Sequence, residues 1–180
     1  ETIKEIFPKA EVVTTPAVLE KINAKLAGKL GFWGPKMGAN APRTPVLPKA
    51  LSGNTLTVEG QTVEIRGTTG ALAHRPYAWI PSVKAVVGNI GVFGANMHVW
   101  TADTQTVAER NAWIAQLDEM AALQPTVVVP GHMPAGTALD VSNVTYTKGY
   151  LQAFEKNAAA TKTGAELIDA MKKAYPAAPM

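Results

Sequence analysis

The sequence contains no cysteine, which excludes disulfides, thiolate zinc sites and cysteine nucleophiles and leaves thiol usage silent about compartment. No apolar run approaches the ~20 residues that a membrane-spanning helix needs, so no membrane partner is expected. Arginines nowhere cluster among aromatic residues, so nucleic-acid binding has no footprint either. Charge is sparse, with 17% charged residues and a formal net charge of only +3, which does not by itself call for an anionic partner. Histidine is scarcer still: His74, His98 and His132 are the whole supply. No internal repeat is visible.

What is present suits a globular α/β chain with a real core, since 47% of the 180 residues are hydrophobic. A single domain over residues 1–180 is expected. Ile3, Ile6 and Phe7 share a helical face that Pro8 stops, and Glu1 stands where a Met would open a chain, so a processed or longer polypeptide is expected. Glu11 to Thr14 reads as a strand. Thr15-Pro16 then opens a helix with Leu19, Ile22 and Leu26 inward, and Gly28 is its expected stop. Lys21, Lys25 and Lys29 form a row read as that helix's solvated side. Residues 31–54, rich in Gly and Pro, are expected to be irregular, with Phe32 and Trp33 either lining a substrate pocket or packing onto the core.

Two alternating runs flanking Gly60 predict a hairpin. Tyr77 to Ile80 and Ala85 to Gly88, separated by Pro81 to Lys84, predict another. Thr106-Val-Ala-Glu109 is a capping box opening a helix to about Leu123 with Trp113, Leu117 and Met120 on one stripe. Thr126 to Val129 is apolar without alternation, as in a strand covered on both faces. Helices follow over about 141–160 and, from a second capping box at Thr163 and Glu166, up to Pro176.

The sharpest chemical hint is Pro130-Gly131-His132 at the end of that apolar strand, where a glycine lets the chain turn and deliver a histidine. Together with Trp79 to Asn89 and His98-Val-Trp-Thr-Ala-Asp103, it resembles the later portion of the metallo-β-lactamase superfamily. The resemblance implies a four-layer αββα sandwich, here incomplete at the N terminus, and a one- or two-metal centre that activates water. The family's first metal motif, His-x-His-x-Asp-His, is absent, as though an N-terminal portion were missing. Ala71 stands where the family places its middle histidine, and Asn89 where it places a bridging aspartate.

His132 is therefore the first candidate ligand for zinc or iron, against a histidine hydrogen-bonded within a sharp turn. His74 is either a substitute ligand or a pocket residue, and Asn89 a weak one, because a neutral amide offers no charge to two dications. His98 either faces the same cleft or packs in a loop, and Asp103 either serves the helix dipole or acts as a base. Two readings follow: a metal-dependent hydrolase of a small-molecule substrate, inactive as this portion alone, or a non-catalytic binding or interaction module. A homo-oligomer, or further N-terminal polypeptide, is expected to cover the exposed sheet.

Overall fold

Thr15 is extended and Pro16 is already helical in φ, so the long second helix begins where the sequence places it. The computed structural model describes residues Thr2 to Ala178, in two compact units, Glu1–Asn54 and Thr55–Met180. In the first, helix α1 (Thr2–Ile6) ends with the Phe7 amide donating to the Ile3 carbonyl at 2.8 Å. Strand β1 (Val13–Thr14) is followed by helix α2 (Pro16–Met37), and β1 pairs in parallel with β2 (Lys49–Ala50).

Two expectations need correction here. Helix α2 does not stop at Gly28 but runs through Gly28, Gly31, Gly34 and Pro35 to Met37. A helix-interior glycine costs about 1 kcal/mol without forbidding the conformation, and the donor that Pro35 lacks would have served the Gly31 carbonyl four residues back. The stop is Gly38, at φ +54°, whose amide donates to the Gly34 carbonyl. The supposedly irregular 31–54 segment is thus helical in its first part and holds β2 near its end. Leu19, Ile22 and Leu26 are half-buried as a stripe, and no residue of α2 is fully buried.

The second unit is built on β3 (Thr55–Val58) and β4 (Gln61–Arg66), joined by Glu59 at φ +50° and Gly60 at φ +77°. Two successive positive φ values define the hairpin turn that matches strand twist. Strands β5 (Tyr77–Ile80) and β6 (Ala85–Val87) are joined by a 3₁₀ turn over Pro81–Val83 and by Lys84 in a left-handed conformation. Helix α3 (Val107–Ala122) then leads to β7 (Val127–Val129), and α4 (Ser142–Ala160) and α5 (Gly164–Ala174) close the chain. Both capping boxes form, Thr106 with Glu109 and Thr163 with Glu166. The sheet order is β3-β4-β5-β6-β7, antiparallel except for the parallel β6–β7 pair.

Register explains the core. Trp79, Val86 and Val128 stand opposite one another across three strands and so share a face. That face is covered by Trp113, Leu117 and Met120 of α3, all wholly buried, with Val144 and Leu151 of α4 behind them. The opposite face carries Leu56, Val58, Val63, Ile65, Ala78, Ile80, Val87, Val127 and Val129. It is equally apolar, yet Val58 and Val87 are exposed and Ile65, Ile80, Val127 and Val129 only half-buried. One five-stranded sheet with one helical layer is an incomplete αββα sandwich.

Candidate functional site

Strand direction gathers the predicted residues. Because β5 is antiparallel to β6 and β6 is parallel to β7, the start of β5 and the ends of β6 and β7 lie at one sheet edge. His74 comes just before β5, Asn89 just after β6 and His132 just after β7, so all three belong to loops of that edge.

The loops are locked backbone to backbone. A Cβ on Gly131 would lie 2.1 Å from the Asn89 carbonyl oxygen, so only glycine lets the end of β7 pass the end of β6 this closely. The Gly131 amide donates to the Val92 carbonyl at 3.0 Å, and the Gly94 amide donates to the His132 carbonyl at 2.7 Å. The His132 ring is exposed and lies tilted against Phe93, with centroids 5.2 Å apart. Asn89, at φ +47°, turns its side-chain amide nitrogen back to donate to the Pro76 carbonyl at 3.3 Å. The position expected to hold a bridging ligand is thus used to tie the β5 and β6 loops together.

Beneath these loops lies a residue that the sequence reading passed over. Arg75 is only 4% exposed, and its guanidinium donates to the Ile90 carbonyl at 3.2 Å and lies 4.3 Å from the centre of the Trp113 ring. Its Nε and Nη1 have no hydrogen-bond partner, nor does the buried Oε1 of Gln116. Gln116 donates through Nε2 to the Arg75 carbonyl at 3.2 Å, and Trp113 through Nε1 to the Gly91 carbonyl at 2.7 Å. Burial lowers the Arg75 pKa from its ordinary value, while the charges of Asp103 and Glu109 favour the guanidinium. Glu109 itself is held below the usual carboxylate range, first by hydrogen bonds from Thr106 and in smaller part by the charge of His74. No sequence signal short of the neighbouring His74 would have singled out Arg75, since an arginine before a proline in a loop reads as surface.

The other predicted residues fall elsewhere. His98 is half-buried, its Nδ1 hydrogen-bonded to the Tyr150 hydroxyl at 2.9 Å beside Tyr146 and Tyr175. Asp103 accepts from the indole nitrogen of the exposed Trp100 at 3.1 Å, and the cap of α3 is Thr106. Trp33 lies in the first unit, exposed, edge to face with Phe32 at 5.1 Å.

Among solved structures, the chain is similar to a metallo-beta-lactamase from Pontibacter korlensis, with 21% identity and a TM-score of 0.56, over 84% of this chain and 61% of that one. The metallo-β-lactamase fold is the fold of this chain. VMB-1 is similar at 19% identity and a TM-score of 0.55, over 89% of this chain and 61% of that one. A metallo-beta-lactamase family protein from Thermus thermophilus is similar at 17% identity and a TM-score of 0.55, over 94% of this chain and 63% of that one. The chain therefore spans less than two thirds of the length of these structures. No family model matches the sequence, and no curated protein does.

A metallo-β-lactamase fold implies a metal, and the residues present do not fit one. Among the described residues, no group of three or more His, Cys, Asp or Glu side chains is placed to hold an ion. A catalytic zinc takes three protein ligands besides water. Here the edge offers histidines from two loops and an asparagine whose amide nitrogen is already directed to Pro76. What the arrangement does hold is a buried guanidinium tying the loop before β5 and the turn after β6 to α3.

Proposed function

We propose that the protein is a hydrolase of the metallo-β-lactamase kind, acting on a small-molecule substrate at the edge shared by His74, Asn89 and His132, with these residues supplying one wall of the site. The observation that carries this reading is His132, whose backbone is fixed at the end of β7 and whose ring is open to solvent at the edge where the Asn89 turn meets it. The reaction class is hydrolysis of an ester, amide, lactone or similar bond. Zinc or iron is the ion such a hydrolase would take, and completing its ligand set requires donors beyond the described residues. The apolar sheet face with Val58 and Val87 exposed supports a second copy, or further polypeptide, as the source of what is lacking.

A second reading is a binding module without catalysis, and one observation favours it: the Asn89 side chain serves as a loop tie. The product of the complete reading frame, supplied with zinc and assayed on chromogenic β-lactam, lactone and phosphodiester substrates, separates the two. Turnover is expected, and His132→Ala should lower it beyond the roughly 100-fold at which outer-shell changes usually stop. Absence of turnover, with no zinc retained through gel filtration, overturns the hydrolase reading and leaves the module.

A further inference from the structure

Asn143 is wholly buried at the second position of α4, and both ends of its side chain are spent on backbone. Its Oδ1 accepts from the Ala95 amide at 3.2 Å, while its Nδ2 donates to the Ala138 carbonyl at 2.7 Å and to the Asp140 carbonyl at 3.2 Å. One side chain thus braces two loops that are distant in sequence. Both leave from the contact that fixes His132: the Gly94 amide donates to the His132 carbonyl at 2.7 Å, and a Cβ on Gly94 would lie 2.7 Å from that of Met133. Between the braced loops is a cavity of about 380 Å³, lined by Ala95 and Asn96 from one loop, residues 134–138 from the other, Ser142 and Asn143 from the start of α4, and Ala177. That volume falls within the ~300–1,000 Å³ usual for small-molecule sites. Walls held by buried hydrogen bonds keep their shape without a ligand, so binding there costs little ordering.

The chemistry of the lining narrows the ligand. Among the described residues, none that lines the cavity is charged. The amide end of α4 would favour an anion, but it is already taken: the Ser142 amide donates to the Asp140 carboxylate at 2.9 Å. Hydrogen bonds from Ser142 hold that carboxylate below its ordinary range, so it is ionised near neutral pH and repels a second anion. A cation gains little from a carboxylate whose charge the helix terminus already meets. What remains is neutral hydrogen bonding. The exposed Asn96 side chain, on a residue at φ +65°, offers both a donor and an acceptor. Thr137 donates its hydroxyl to the Pro134 carbonyl at 2.8 Å and keeps its oxygen as an acceptor. Ala95, Ala135 and Ala138 add apolar contact. A small amide carries the matching acceptor and donor without a charge.

We propose that the cavity braced by Asn143 is a binding site for a small uncharged amide, paired through Asn96 and closed to carboxylates by Asp140. It uses none of His74, Asn89 and His132, and it stands whether or not the chain hydrolyses anything, because its test is binding.

The whole chain, labelled with nitrogen-15, is to be titrated with N-acetylglycinamide and with N-acetylglycine, which differ only in a terminal amide against a carboxylate. The amide is expected to bind with a Kd of about 1–10 mM, the range open to so small a ligand, and to shift the backbone signals of Ala95, Gly136 and Ser142. The carboxylate should bind about tenfold more weakly or worse. Ala138→Leu fills the cavity while leaving the Ala138 carbonyl to Asn143, and should abolish the shifts. Asn96→Gly removes the side chain where the left-handed backbone suits glycine, and should weaken binding about fivefold. Asp140→Asn keeps a capping side chain without the charge, and should bring the carboxylate within about threefold of the amide. Circular dichroism of each variant checks that the chain remains folded. Four results each overturn the proposal: equal affinity for the two probes in the native chain, no shift with the amide, shifts that persist in both Ala138→Leu and Asn96→Gly, or a preference untouched by Asp140→Asn.

Discussion

The Arg75 guanidinium lies over the Trp113 ring at 4.3 Å, and each of the two side chains also donates to a carbonyl of the turn after β6, Arg75 to Ile90 and Trp113 to Gly91. The pair therefore connects the loop that carries His74, the turn that carries Asn89 and the middle of α3. Arg75→Ala should destabilise the chain by about 3 kcal/mol, through a cavity against the buried Trp113 ring and the loss of the hydrogen bond to the Ile90 carbonyl. Arg75→Met keeps the stem in place and removes a buried charge with few partners, so its cost should be nearer 1 kcal/mol. Urea unfolding of the two variants checks this. Equal losses would show that the charge, through Asp103 and Glu109, outweighs the packing of the stem.

Gly131→Ala tests the contact that fixes His132. The added methyl would sit 2.1 Å from the Asn89 carbonyl oxygen, and a backbone atom has no rotamer by which to withdraw. The ends of β6 and β7 must then separate, at a cost of about 1–3 kcal/mol typical of overpacking. Hydrogen exchange at the Gly94 amide, which donates to the His132 carbonyl at 2.7 Å, should quicken in the variant. Unchanged protection there would mean that His132 is positioned by something other than this close approach.

Local chemistry made much of the second unit legible. The Glu59-Gly60 turn, the Thr106 and Thr163 caps and the Trp113, Leu117 and Met120 stripe each depend on neighbours in sequence, and each formed where the residues placed it. The end of α2 was not legible, because glycines and Pro35 weaken a helix without forbidding it and only the positive φ of Gly38 decides the stop. Among site residues, the gathering of His74, Asn89 and His132 at one edge followed from strand order, since the fold dictates which loops share an edge. The direction of the Asn89 side chain and the burial of Arg75 depend on contacts between distant segments, about which periodicity says nothing.

Thr106 and Glu109 satisfy each other's backbone amides at the start of α3, and the carboxylate is held below its ordinary range chiefly by the Thr106 hydrogen bonds. Thr106→Ala should cost about 1 kcal/mol near neutral pH. A depressed carboxylate pKa contributes stability that is present above the unfolded value and lost as pH falls through the folded one. The difference in unfolding free energy between the native chain and the variant should therefore narrow as pH falls below the ordinary Glu range of about 4. A gap that stayed constant down to strongly acid pH would assign the cap's contribution to the hydroxyl alone.

Tyr150 provides the alkaline counterpart. Burial pushes its hydroxyl up to about 12 from an ordinary value of 10.0, with smaller contributions from Tyr146 and Tyr175. Raising the pKa of an acid means that the folded state prefers the neutral form, so this contribution is complete below the unfolded value of about 10 and disappears as pH climbs towards the folded one. Stability should thus decline between about pH 10 and 12. Tyrosinate absorbance should lag behind that of the urea-unfolded chain over the same interval. In Tyr150→Phe the decline should be shallower, while stability at neutral pH falls because His98 loses the hydroxyl now 2.9 Å from its Nδ1. If the native chain and the variant lose stability in parallel above pH 10, the ionisation that matters there belongs to another residue and the burial of Tyr150 does not govern alkaline unfolding.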